Sequence, residues 1–185
     1  LLFYLVYVTN FNNCVMSKLI CFFSIILSFT SVFSQNTCTC NVAICNQTWM
    51  THNLTTVTYR NGDTIPQVTD RTLWDGLTTG AWCYYNNDAS NNATYGKLYN
   101  WYAVNDPRGL APEGFHIPTS DEWMFLINYL GGSTIAGGKL KEIGTTNWNS
   151  PNKDATNSSG FTALGSGNRI DFGSFTQFKN SASFW

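Results

Sequence analysis

The stretch Y-G-K-L-Y-N-W-Y-A-V at 95–104, followed after a Pro/Gly-rich link by G-F-H-I-P-T-S-D-E-W at 114–123, decides how this chain folds. In the first half Tyr95, Leu98, Trp101 and Tyr102 recur at i, i+3, i+6 and i+7. That spacing predicts one helix with an aromatic face, ending before Pro107. In the second half Thr119 stands three residues before Glu122. A hydroxyl and a carboxylate so spaced form a capping box, each satisfying an amide of the first helical turn that would otherwise lack a partner. Trp123, Leu126, Ile127 and Leu130 then make an apolar stripe, and Gly131-Gly132 is expected to end the helix. A shorter helix is predicted over 135–143.

Outward from these helices the chain reads as β-rich. T-W-M-T-H-N-L-T-T-V-T-Y-R at 48–60 is rich in β-branched and aromatic residues, and Asn61-Gly62 follows as a type I′ hairpin signal. Residues 80–88 read as a buried strand carrying Cys83, closed by an Asn/Asp turn, and 86–94 are turn-like throughout. Short strands are expected at 160–164 and 180–185, with irregular chain between them. Only 11% of the residues are charged, against roughly 25% in an average soluble protein, while aromatics reach 16%. The formal net charge of −1 leaves no basic footprint for nucleic acid or anionic lipid.

Residues 16–34 have the form of a secretory signal peptide: Lys18, an apolar run over 19–33, and Val32 and Ser34 before the expected cleavage. The membrane is then met only through this segment, which is short for a span of roughly 20 apolar residues. Residues 1–15 precede its Met16 and are read as upstream translation, and 35–47 as a Cys-bearing leader. The mature chain keeps Cys38, Cys40, Cys45 and Cys83, the disulfide candidates of an exported protein, with three possible pairings. Their geometry disfavours pairing Cys38 with Cys40. No His lies at zinc-ligand spacing from them.

The ordered series W-M-T-H-N-L, N-G-D-T-I-P, V-T-D-x-x-x-W, C-Y-Y-N-N-D, Y-G-K-L-Y-N-W-Y-A-V, P-E-G-F-H-I-P-T-S-D-E-W, L-G-G, A-G-G-K-L-K-E and S-G-F-T-A-L resembles the Fibrobacter succinogenes major paralogous domain family, a group of exported bacterial domains. The resemblance runs over 48–185. The F-H-I-P-T-S-D-E-W element is also similar to one in formylglycine-generating-enzyme-like domains. Together these imply an α+β, C-type-lectin-like fold, with two main helices packed on twisted antiparallel sheets and long irregular loops. Two departures stand out. Ala111 takes a position where the family usually has a Cys, and the chain stops at Trp185, short of the family's closing strand. The domain is therefore expected to be a fragment, truncated at its C-terminus.

The chemistry-bearing residues point away from catalysis. His52 and His116 are the only histidines, and no G-x-S-x-G motif accompanies them. Asp121 and Glu122 are accounted for by the helix start. Enzymes of the formylglycine-generating branch use a reactive cysteine pair near the end of the domain, and no Cys follows Cys83. No catalytic residue, metal or cofactor is expected, though the Asn/Asp clusters at 86–92 and 147–157 leave calcium as an alternative. Trp101 and Trp123 are assigned to the core. Trp148, in the loop N-W-N-S-P-N, is the expected exposed platform, with Asn147, Asn149, Asn152 and Asn157 as flanking ligand-binding candidates. The expectation is a secreted or cell-surface, non-catalytic recognition or adhesion module whose partner is an extracellular glycan or surface protein. An enzyme of the related branch, or a purely structural surface protein, is the alternative.

Overall fold

The structure, a computed structural model, describes residues 41–185. The expected upstream segment, signal peptide, and Cys38 and Cys40 lie outside the described residues. Within them the fold is mixed α and β, with short helices and three small two-stranded antiparallel sheets.

The chain enters through a hairpin of β1 (Asn41–Ile44) and β2 (Gln47–Met50), in which Val42 faces Trp49. Then come α1 (Arg71–Asp75), β3 (Trp82–Cys83), α2 (Asn92–Tyr95), β4 (Leu98–Tyr99) and α3 (Trp101–Val104). The longest elements follow: α4 (Ser120–Tyr129) and α5 (Ser133–Leu140). A last pair, β5 (Asn168–Arg169) and β6 (Phe175–Thr176), lies beyond a long irregular stretch.

The capped helix forms as read. The Thr119 hydroxyl accepts from the Glu122 amide, and the Glu122 carboxylate accepts from the Thr119 amide at 2.8 Å. Leu126 and Leu130 are buried, with Trp123 and Ile127 packed beside them. The Gly132 amide donates to the Ile127 carbonyl at the helix end. α5 realises the shorter helix predicted over 135–143.

The single helix over 95–104 does not form. Gly96, at φ +64° and ψ −146°, ends α2, and a Cβ there would lie 2.8 Å from the Leu54 carbonyl oxygen. Only glycine fits both that backbone conformation and that approach. The chain then runs extended, pairing Trp82 with Tyr99 and Cys83 with Leu98. Alternation across this ladder divides two cores. Trp82 and Tyr99 join Leu54, Tyr59, Ile65 and Ala103, whereas Cys83 and Leu98 join Trp74 and Ala81. Asn100 restarts the helix, its Oδ1 accepting from the Ala103 amide. A period-3.6 reading buries one face only; both Leu98 and Tyr99 are buried because they belong to a strand.

The third core joins the β1–β2 hairpin to the α4–α5 pair. Trp49, fully buried, packs against Trp123 with ring centres 4.8 Å apart and against Phe161 at 5.8 Å. Three smaller expectations change. Asn61-Gly62 does turn the chain between Thr58 and Thr64, but only Gly62 has positive φ. The turn closes from Gly62 to the Tyr59 carbonyl, a three-residue loop with Gly62 at the bulge in place of type I′. The strand expected over 80–88 is cut to two residues, because Tyr85–Asn87 turns as 3-10 helix with Asn86 and Asn87 at positive φ. The strands expected at 160–164 and 180–185 reduce to single parallel bridges, Lys141 to Ala163 and Gly167 to Ala182.

Candidate functional site

The loop expected to carry the binding platform is folded inward. Trp148 is 6% exposed, and its Nε1 donates to the Ala163 carbonyl at 2.9 Å while the Lys141 ammonium lies 5.3 Å from its ring centre. The expectation of an exposed Trp148 is therefore corrected: the ring is a packing residue. The flanking amides hold the loop in place. Asn147 donates to the Glu142 carboxylate and accepts from the Tyr95 hydroxyl, and Asn152 donates to the carbonyls of Glu142 and Gly144. Asn157 bonds Thr162 through both ends of its amide, and Asn149 donates to the Asn180 side chain. These side chains do for the loop what backbone ladders do for a sheet. The Asn/Asp cluster at 86–92 behaves likewise: Asp88 accepts from the Ser90 amide, Asn87 and Asn91 donate to carbonyls, and Asn92 accepts from Lys97.

Trp101 moves the other way. Expected in the core, it is 50% exposed, with Tyr102 beside it at 43%. α3 makes this possible because its inward residue is small: Ala103 is fully buried, so the two aromatic residues before it face out. The helix is fixed to the loop before β3 by Asn100. Its Oδ1 accepts from the amides of Ala103 and Ala81, and its Nδ2 donates to the Thr79 carbonyl at 2.8 Å. Asp70 caps α1 through the Leu73 amide, placing Trp74 inward and Asp75 outward. The Trp185 ring lies 5.0 Å from Trp101, and the Trp185 carbonyl accepts from Trp123 Nε1.

These pieces form an aromatic ledge between two shallow clefts of about 230 Å³ each. One is walled by Trp74, Leu77 and Trp185 with Asp75 and Asp171 at its border; the other runs past Thr78, Thr79, Asn105 and Arg108. Trp101 and Tyr102 line both. The Arg108 guanidinium is committed elsewhere, to Asp106 at 2.8 Å and Asp63 at 3.0 Å, and lies 4.0 Å from the Tyr59 ring centre. Its hydrogen bond holds the Asp106 carboxyl down at about 2. Asp75 and Asp171 are exposed.

Burial pushes the Cys83 thiol up to about 11, so it stays protonated at neutral pH. Cys83 is a free thiol within its apolar core, which corrects its place among the disulfide candidates. Cys45 is disulfide-bonded. His52 is exposed. His116 reaches Glu122 through Nε2 at 3.0 Å. Burial raises the Glu122 carboxyl, but bonds from the Thr119 amide, His116 and the Thr119 hydroxyl outweigh it and hold it below the usual glutamate range.

Because that pKa is lowered on folding, the cap's contribution is present above the unfolded-state value, about 4.3, and is lost as pH falls through the folded value. Glu122→Gln keeps an acceptor for the capping box but removes the charge, and is expected to cost about 0.5 kcal/mol at pH 7, a difference that shrinks below about pH 4. Urea titrations of both proteins at pH 7 and pH 3 check this; an equal difference at both would contradict it.

The model of a known family, described as the Fibrobacter succinogenes major domain, matches residues 42–185, and the chain belongs to that family. Neither a curated protein nor a solved structure matches it significantly.

Proposed function

We propose that this member of the Fibrobacter succinogenes major domain family is a secreted or cell-surface, non-catalytic recognition module that binds an extracellular glycan or surface protein. Export is argued from the signal-peptide pattern over 16–34. The finer fold reading is a C-type-lectin-like arrangement, argued from the sequence resemblance. Its irregular loops would serve as scaffold for a presented surface.

The observation that carries the binding reading is the exposed pair Trp101 and Tyr102 on a helix anchored by Asn100. Large rings held rigidly in water expose apolar area that folding alone would cover. Such rings bind at little cost in conformational entropy, which is why aromatic anchors dominate recognition surfaces. Family membership does not by itself assign a ligand.

Trp101→Ala is expected to weaken binding at least tenfold, on the order of 1.4 kcal/mol, with a modest fall in melting temperature, because about half of the residue is packed, in part against Trp185. Binding of wild type and variant to an array of glycans and surface proteins tests this. Undiminished binding by the variant, or turnover of an arrayed glycan by the wild type, would overturn the proposal.

A further inference from the structure

Resting on the recognition reading above, we infer that the ledge binds a linear, neutral oligosaccharide across at least two adjoining subsites divided by Trp101. Trp101 and Tyr102 line both clefts of about 230 Å³, and Trp101 also lines a third of about 380 Å³ beside Pro118 and Trp123. Each of the two matched clefts is smaller than the roughly 300–1,000 Å³ of a site that encloses a drug-sized ligand. Each suits one sugar ring, and their shared wall suits a chain that continues from one to the next.

The lining matches a sugar better than an apolar segment. A pyranose ring has a C–H face that stacks on an indole or phenol and an edge of hydroxyls that need acceptors and donors. At the first cleft the exposed carboxylates of Asp75 and Asp171 stand beside the rings. At the second, Thr78, Thr79 and Asn105 do. An apolar peptide face would bury those carboxylates without partners, a cost that hydroxyl donors avoid.

Charge narrows the class further. The carboxylates at the first cleft repel a uronic acid. Arg108, the cation at the second, already holds Asp106 and Asp63. An acidic sugar would meet repulsion at one subsite and no free cation at the other, so the ligand is neutral.

The test is calorimetric titration with neutral hexose oligomers of one to six units, in α- and β-linked series, and with uronic acid oligomers of matched length. Affinity is expected to rise at least tenfold from one unit to three in one neutral series and then level off. Trp101→Ala should remove that gain, Asp171→Asn should reduce it, and uronic acid oligomers should bind more weakly. Both substitutions lie at exposed positions, and thermal melts of the variants verify that they fold. Length-independent affinity, or preference for the uronic acid series, would overturn the subsite inference while leaving recognition in place. Binding of no oligomer, with capture of a surface protein that Trp101→Ala abolishes, would overturn it in the same way. Loss of all binding, to glycan and protein alike, would sink both readings.

Discussion

Arg169→Met is expected to destabilise the protein by roughly 3 kcal/mol or more. Arg169 is 1% exposed, and its guanidinium lies 4.2 Å from the ring centre of Trp74 and 4.9 Å from that of Phe175. Its nitrogens donate to the carbonyls of Gly173, Val68, Thr69 and Asp70 at 2.8–3.2 Å. Methionine can occupy the space between the rings but donates nothing, so the buried Gly173 carbonyl and the part-buried carbonyls of Val68, Thr69 and Asp70 lose their partner. Removing a desolvated charge returns part of the loss, since burying that charge was itself unfavourable. The balance still favours arginine, because an unsatisfied buried acceptor costs about 1–3 kcal/mol. Arg169→Lys should lose most of the same stability: one ammonium cannot reproduce a planar fork that reaches both segments. Urea unfolding at pH 7 measures this, and a loss under about 1 kcal/mol would contradict the clamp.

Trp49→Ala should cost roughly 3–5 kcal/mol, the range for deleting a large buried ring. The ring ties the β1–β2 hairpin to Trp123 of α4 and to Phe161, so its loss opens a cavity where those elements meet. Trp49→Phe separates packing from polarity. Trp49 Nε1 is buried with no hydrogen-bond partner among the described residues, so the smaller ring loses volume but also discards an unsatisfied donor. The phenylalanine variant is therefore expected to keep at least half of the stability lost in the alanine variant. Thermal and urea unfolding of the two variants together check this; equal losses would show that the hydrogen-bonding accounting is wrong.

What could be read from the sequence was what is decided locally. The α4 cap needs only Thr119 and Glu122, whose bonds close within one turn, and its buried stripe follows from spacing alone. The strand β4 could not be read this way. Tyr95, Leu98, Trp101 and Tyr102 carry helical spacing, but Leu98 and Tyr99 are claimed by Cys83 and Trp82 across the ladder. Gly96 was the signal for that break, because a glycine at its conformation both ends α2 and lets the chain pass close to Leu54.

The exposure of the aromatic rings was not legible. An aromatic surface was expected, yet Trp148 and Trp101 exchanged roles. Each position was settled by a partner far along the chain or by a small neighbour: Ala163 for Trp148, Ala103 for Trp101. An N-cap Asn directly before W-Y-A-V was the available hint, since a four-residue helix with one small inward residue must turn its large ones outward. Arg169 had no such hint. Its acceptors at 68–70 lie about a hundred positions earlier in the sequence.

The claim on which the functional account turns is that α3, and not the Asn-rich loop, is the recognition surface. Titration of isotope-labelled protein with the tightest-binding neutral oligomer, followed by amide and indole N–H shifts, tests it most directly. The account predicts that the largest changes fall on the Trp101 indole and on amides at 78–80 and 101–105. Changes centred on the Trp148 indole and 147–157, with Trp101 unmoved, would contradict it.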